Sequence, residues 1–172
     1  MADRRSYRER RRYVRVPYPQ GNVFAVFSCG DHEFAVARDE LVAISEVPKL
    51  LRLPLVKPWF IGMASVHGYL VNVSDLSAYL GVGSAHGKEA ARLLVVRRGN
   101  ACFGLLVDRL RGIIECQPCQ RPRALYPLII EQYIVAQWCA AERCFDELDC
   151  QRLLQDAVFL NAAADADQDH GQ

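Results

Sequence analysis

No stretch of this 172-residue chain carries the roughly 18 consecutive apolar residues that a membrane-spanning helix requires. The charged N-terminus is not followed by the apolar segment of a secretory signal, so the reading is a soluble, cytoplasmic protein. Net charge is nearly absent as well, with 21 Lys and Arg against 20 Asp and Glu. Histidine is scarce. His32, His67, His86 and His170 fall in turns, linker or tail, and none has a motif-spaced partner for acid–base or metal chemistry. Gly81-x-Gly83 lacks the following helical context of a nucleotide fingerprint. Asp75 and Asp108 sit at strand ends, where a carboxylate caps a turn more readily than it forms a catalytic pair. Neither an enzyme nor a cofactor is expected.

What the chain does hold is unevenly placed. Residues 1–15 contain seven arginines against Asp3 and Glu9, and the far end carries Asp165, Asp167 and Asp169. The arm reads either as an electrostatic handle for an acidic partner or as a solvated terminus. The division expected is a flexible basic arm over 1–20, a folded region over 21–160 and a disordered acidic tail over 161–172. Cysteine is abundant, with Cys29, Cys102, Cys116, Cys119, Cys139, Cys144 and Cys150. An odd count without a signal peptide argues against a disulfide framework, and cysteines inside apolar strand patterns act as small hydrophobes. The cysteines are therefore expected to be reduced and metal-free. The competing reading is a four-thiolate zinc site of Cys116, Cys119, Cys139 and Cys144.

The chain is organised around Trp59 to Gly81. Ile61–Val66 is β-branched enough for a strand, His67-Gly68 supplies turn chemistry, and Tyr69, Val71 and Val73 alternate along a returning strand. Ser74 stands where a helix N-cap belongs, Leu76 and Leu80 lie four apart, and Gly81 can close the turn. Upstream, Phe24–Cys29, Gly30-Asp31 and Glu33–Ala37 read as a hairpin, and Val42–Val47 as a further strand. Pro48, Pro54 and Pro58 mark loops. Val82–Lys88 reads as an exposed connector.

A shift of 69 positions lays Phe24–Glu46 on Leu93–Glu115 without a gap and with six identities: Val26/Val95, Gly30/Gly99, Phe34/Phe103, Asp39/Asp108, Ile44/Ile113 and Glu46/Glu115. The turn, the central aromatic and the closing Asp match together, which favours duplication over chance. Trp59–Leu80 can likewise be laid on Tyr133–Leu154, although Arg143-Cys-Phe-Asp-Glu-Leu alternates poorly and reads as having lost strand character. Leu153, Leu154, Ala157, Val158 and Leu160 mark a terminal helix. The fold class expected is all-β. Two small lobes of about five strands are expected to meet near Leu80–Ala91 and Glu115–Ile134, each closed into a barrel.

Phe24-Ala-Val-Phe-Ser-Cys-Gly-Asp-His-Glu-Phe-Ala-Val, Ile44-Ser-Glu-Val, Phe60-Ile-Gly-Met-Ala-Ser-Val-His-Gly-Tyr-Leu-Val-Asn-Val-Ser-Asp-Leu and Gly104-Leu-Leu-Val-Asp resemble, in order and spacing, the CheW-like family. The resemblance covers roughly residues 22–155, and the Trp-Phe-Ile-Gly start is similar to members serving type IV pilus twitching systems. It implies two SH3-like five-stranded β-barrel lobes with short helices and a C-terminal helix. It also implies a non-enzymatic adaptor coupling a methyl-accepting chemoreceptor to a CheA-type histidine kinase. Contact with a membrane would come only through the receptor, and neither a small-molecule substrate nor nucleic acid is expected. Glu46 matches the family's glutamate, whereas His67 stands where the family commonly has arginine, Asn72 replaces a proline, and glycines expected near Val135–Trp138 are missing. The implied partner-binding residues are Glu46, His67, Tyr69 and Asp108. A zinc-stabilised regulatory module and a nucleic-acid-binding protein using the arginine arm are the alternatives.

Overall fold

Phe24, Ala25, Val26 and Phe27 are successive residues of one strand and all are buried, so this strand has core on both faces. It opens a chain of eleven strands and four single-turn helices in the computed structural model, which describes residues 22–121 and 125–162. In order these are β1 (Val23–Cys29), β2 (His32–Ala37), β3 (Leu41–Ser45), β4 (Phe60–Val66), β5 (Tyr69–Asp75), α1 (Leu76–Tyr79), β6 (Arg92–Arg98) and β7 (Ala101–Val107). They continue with β8 (Arg109–Glu115), β9 (Gln117–Pro118), α2 (Leu128–Glu131), β10 (Ile134–Ala140), β11 (Arg143–Leu148), α3 (Cys150–Leu153) and α4 (Ala157–Leu160). The arginine arm and most of the acidic tail lie outside the described residues. No helix among the described residues is long and apolar enough to cross a membrane.

The strands form two sheets, ordered β8-β1-β2-β11-β10-β9 and β3-β6-β7-β5-β4. The chain passes between the two sheets at residues 38–40 and at Asp108, which corrects the expected joins near Leu80–Ala91 and Glu115–Ile134. Each lobe is built from both halves of the chain. The β1–β2 hairpin pairs with β8 and, in parallel, with β11; its repeat-mate, the β6–β7 hairpin, pairs with β3 and, in parallel, with β5. The two copies have exchanged their third strand and second hairpin.

Strand alternation explains the two-sided burial. Phe24 and Val26 point into a cluster with Ala35, Cys116 and Phe145, and their repeat-mates Leu93 and Val95 into one with Val66, Val71, Val73 and Leu106. The intervening Ala25 and Phe27, with Leu94 and Val96, share a third cluster that joins the lobes and takes in α1, α3 and Phe159. Residues near both ends of a sheet, Ile114 of β8 and Trp138 of β10 for example, pack on the same cluster, so the sheet curls around its core.

The second copy of the repeat is better preserved than its residues suggest. Arg143–Leu148 is a strand, contrary to the sequence reading. Its alternation is hidden because Asp146 is buried but held by Gln137 (3.2 Å) and by the Tyr126 hydroxyl, while Trp138 Nε1 donates to Glu147 (2.6 Å). The turns agree as well: His67 and Ala141 have φ of 48° and 52°. Asp75 and Asp149 both cap the following helix, accepting from Ala78 N (3.1 Å) and Arg152 N (2.9 Å). The cap is thus Asp75 and not Ser74, which is still paired in β5. The terminal helix is two separate turns, α3 and α4, because Asp156 caps a new start at Val158 N (2.7 Å).

Gly30 and Gly99 occupy the same turn position with the same φ of 57°, but a Cβ at Gly30 would stand 2.4 Å from the Val82 carbonyl oxygen, and one at Gly99 would meet nothing within 4 Å. Gly99→Ala should therefore lose only the left-handed penalty of about 1–2 kcal/mol. Gly30→Ala should lose that plus a backbone displacement, at least about 3 kcal/mol. Equal denaturant midpoints for the two variants would refute this account. The exchange of strands makes a second prediction. Fragments 1–91 and 92–172 should each be unfolded alone and regain β-sheet circular dichroism when mixed; independent cooperative unfolding of either would contradict the topology.

Candidate interaction site

Asp108 lies between β7 and β8, where the chain crosses from one lobe to the other. Its backbone N–H donates to Ser28 O (3.0 Å), and its carboxylate accepts from Gly30 N (3.0 Å), Ser77 Oγ (2.6 Å) and Lys88 Nζ (2.5 Å). One carboxylate therefore ties the β1–β2 turn, α1 and the 82–91 connector together. Those donors offset its near-complete burial, which is the condition for a charge to stay inside a fold. Asp75 does similar work. Besides capping α1 it accepts from Ser84 Oγ (2.8 Å), Ala85 N (2.9 Å) and His86 N (3.0 Å). The connector read as exposed is thus moored at Ala85, which is fully buried.

Beside Asp108 runs a groove of about 1170 Å³, walled by Ser28, Arg109 and Arg111 of one lobe and by Glu46, Lys88 and Arg92 on the side of the other. It exceeds the range typical of small-molecule pockets, and its walls are mixed charge rather than the apolar lining such pockets use. Arg111 is braced by Glu33, 3.0 Å away, while Glu46 makes no ion pair among the described residues. Arg109 and Arg111 were not singled out in the sequence; the alternation of Arg109, Leu110 and Arg111, which matches the alternating exposure of β8, was the available signal.

His67 and Tyr69 are elsewhere. They form the tip of the β4–β5 hairpin, and the length of β5 places them roughly 20 Å from the Asp75 end at about 3.3 Å per residue. Glu46 lies at that far end, since Ser45 pairs with Leu93 and Leu93 with Leu106. The structure therefore brings Glu46 and Asp108 together, and His67 and Tyr69 together, as two separate surfaces. At the tip His67 and Gly68, with φ of 48° and 84°, make a tight reversal, and His67 is exposed. Arg97 lies over the Tyr69 ring (5.6 Å) and donates to its hydroxyl (3.3 Å), a contact not foreseen from sequence.

The cysteines divide sharply. Burial pushes the Cys29 thiol up to about 12 and raises those of Cys116 and Cys150, which suits inert core residues. The expectation that all seven are reduced fails at Cys119 and Cys139, which are joined by a disulfide. The Cys144 Sγ is 2.6 Å from Cys139 and 3.3 Å from Cys119. Cys116 does not join them: residues three apart in extended chain face opposite sides, and its sulfur is turned to Ile114 O (3.7 Å).

Comparison with known proteins agrees with this architecture. The family model described as CheW-like domain matches residues 24–158. Protein PilI of Pseudomonas aeruginosa is 32% identical over 87 residues, which are 51% of this chain and 49% of that protein, so the match spans about half the length of that curated relative. The crystal structure of the scaffolding protein TtCheW from Thermoanaerobacter tengcongensis has the same fold, with a TM-score of 0.65 at 16% identity over 80% of this chain and 94% of that one. With its crossed sheets, repeated Asp-capped turns and a family match over most of its length, the chain belongs to the CheW-like domain family.

Proposed function

We propose that this protein is a non-enzymatic cytoplasmic adaptor that couples a methyl-accepting chemoreceptor to a CheA-type histidine kinase, with twitching motility driven by type IV pili as the output. Family membership and the half-length similarity to PilI support the signalling role. The observation that carries the reading is the presence of two separate surfaces on one rigid body. An adaptor must hold two partners at once, and residues on strands and tight turns of a packed core present fixed geometry at little entropic cost. The groove at Glu46, beside the Asp108 pin, offers charges for one partner. The hairpin tip offers His67, Tyr69, half-exposed under Arg97, and Leu70, 66% exposed, for the other. Tyrosine and arginine are among the side chains that most often anchor an interface.

The test uses the purified full chain with a kinase regulatory domain and a receptor signalling fragment from the same host. Glu46→Ala should weaken one of the two complexes by about 1 kcal/mol or more, roughly fivefold in Kd, and leave the other unchanged. His67→Arg should shift the affinity of the other complex by a similar amount, because arginine brings a permanent charge and a five-donor fork. Both substitutions are at exposed positions and should change stability by no more than about 0.5 kcal/mol. Unchanged binding of both partners by both variants would remove these two surfaces from the function.

A further inference from the structure

We propose that Cys119, Cys139 and Cys144 form a three-thiolate zinc site in the reduced protein, a role that does not depend on the adaptor reading. The site is built by the edge of the six-stranded sheet. Cys139 and Cys144 are directly opposed on β10 and β11, and Cys119 follows β9, its N–H donating to Gln137 O (3.0 Å) so that it lies beside Cys139. Their sulfurs all fall within 4.8 Å of one another, and all three residues are partly buried.

The arrangement separates a metal site from simple thiol–disulfide exchange. Were Cys144 placed in line behind Cys139 for attack on the disulfide, its sulfur would stand about 4.7 Å from that of Cys119, given an ordinary S–S bond of about 2.05 Å. It stands 3.3 Å away, so the sulfurs are corners of a triangle. A triangle of thiolates is one face of a tetrahedral zinc centre, whose sulfurs sit about 3.8 Å apart for Zn–S bonds of about 2.3 Å. Small side-chain rotations on strands that stay paired would open the present 2.6 and 3.3 Å separations to that value. Cys116, buried and with its sulfur turned to Ile114 O (3.7 Å), supplies no fourth ligand, and that position is left to water. Arg121 donates its backbone N–H to Cys119 Sγ (3.5 Å) and its guanidinium to Glu142 O (3.1 Å), which places positive charge beside the thiolates.

The disulfide and the metal are alternative states of one site. A dithiol reductant gives two electrons and two protons to the Cys119–Cys139 bond and leaves as its own disulfide. Zinc then displaces a proton from each of the three thiols. Bound metal would pin Cys119 and the two-residue edge strand β9 to the β10–β11 hairpin at the rim of the sheet.

The experiment takes the full chain, reduced with a phosphine and freed of metal under anaerobic conditions, and titrates it with Co²⁺ as a spectroscopic substitute for zinc. Thiolate-to-cobalt absorption should saturate at about one equivalent and be bleached by Zn²⁺. Cys144→Ser should weaken binding more than about tenfold, since even losing a hydrogen-bonding group behind a ligand costs 10- to 100-fold. Cys116→Ser should leave binding unchanged. Alkylation of the unaltered chain provides a check that needs no variant: zinc should protect Cys119, Cys139 and Cys144 together, as mapped by mass spectrometry. Absent thiolate–cobalt bands, equal labelling with and without zinc, or a Cys116→Ser loss matching that of Cys144→Ser would each overturn the site.

Discussion

Neither sheet can be completed by one half of the chain, and the rest of the structure depends on that constraint. Parallel pairing of β2 with β11 and of β5 with β7 closes each sheet with a hairpin taken from the other half. A parallel pair cannot be joined by a tight turn, so both must be formed by segments distant in sequence. The lobes are therefore coupled through the backbone as well as through side chains. The cluster holding Ala25, Phe27, Leu94 and Val96 seals a junction that the strand crossings already impose.

Such a junction leaves buried polar groups where the chain passes between lobes, and two carboxylates absorb them. Asp108 meets the β1–β2 turn, α1 and Lys88; Asp75 caps α1 and holds Ser84, Ala85 and His86. Charge-assisted hydrogen bonds to backbone N–H groups are among the stronger polar contacts in a protein, and here they fix the wall of the mixed-charge groove. In the adaptor role proposed above, that wall would need rigidity more than reactivity. This is why the strand-ending aspartates work as pins.

Duplication followed by divergence accounts for the asymmetry between the lobes. The turn geometry at Gly30 and Gly99, the αL residues His67 and Ala141 and the helix caps Asp75 and Asp149 are common to both copies. Side-chain chemistry has moved apart around them. One second hairpin ends in an exposed tip with Tyr69 under Arg97; the other carries Cys139 and Cys144, with Cys119 brought beside them from the end of β9.

The sequence by itself determined the local elements. Apolar, β-branched runs located β1, β2 and β4, alternation located β5, Gly30 and Gly99 announced their turns, and the 69-residue shift exposed the duplication. Period and turn chemistry are properties of a few neighbouring residues, so they can be read without the fold. The motif order also carried the family. The tertiary structure alone decided which copy each strand joins, because pairing partners are chosen by burial across the whole molecule. The strand at Arg143–Leu148 was hidden for the same reason: Asp146 is tolerable there only once Gln137 and Tyr126 have been brought to it. Among the candidate residues, the family resemblance nominated Glu46, His67, Tyr69 and Asp108, while only the sheet order separated them into two surfaces. Spacing paired Cys116 with Cys119, and the extended backbone divided them, since residues three apart on a strand must face opposite ways.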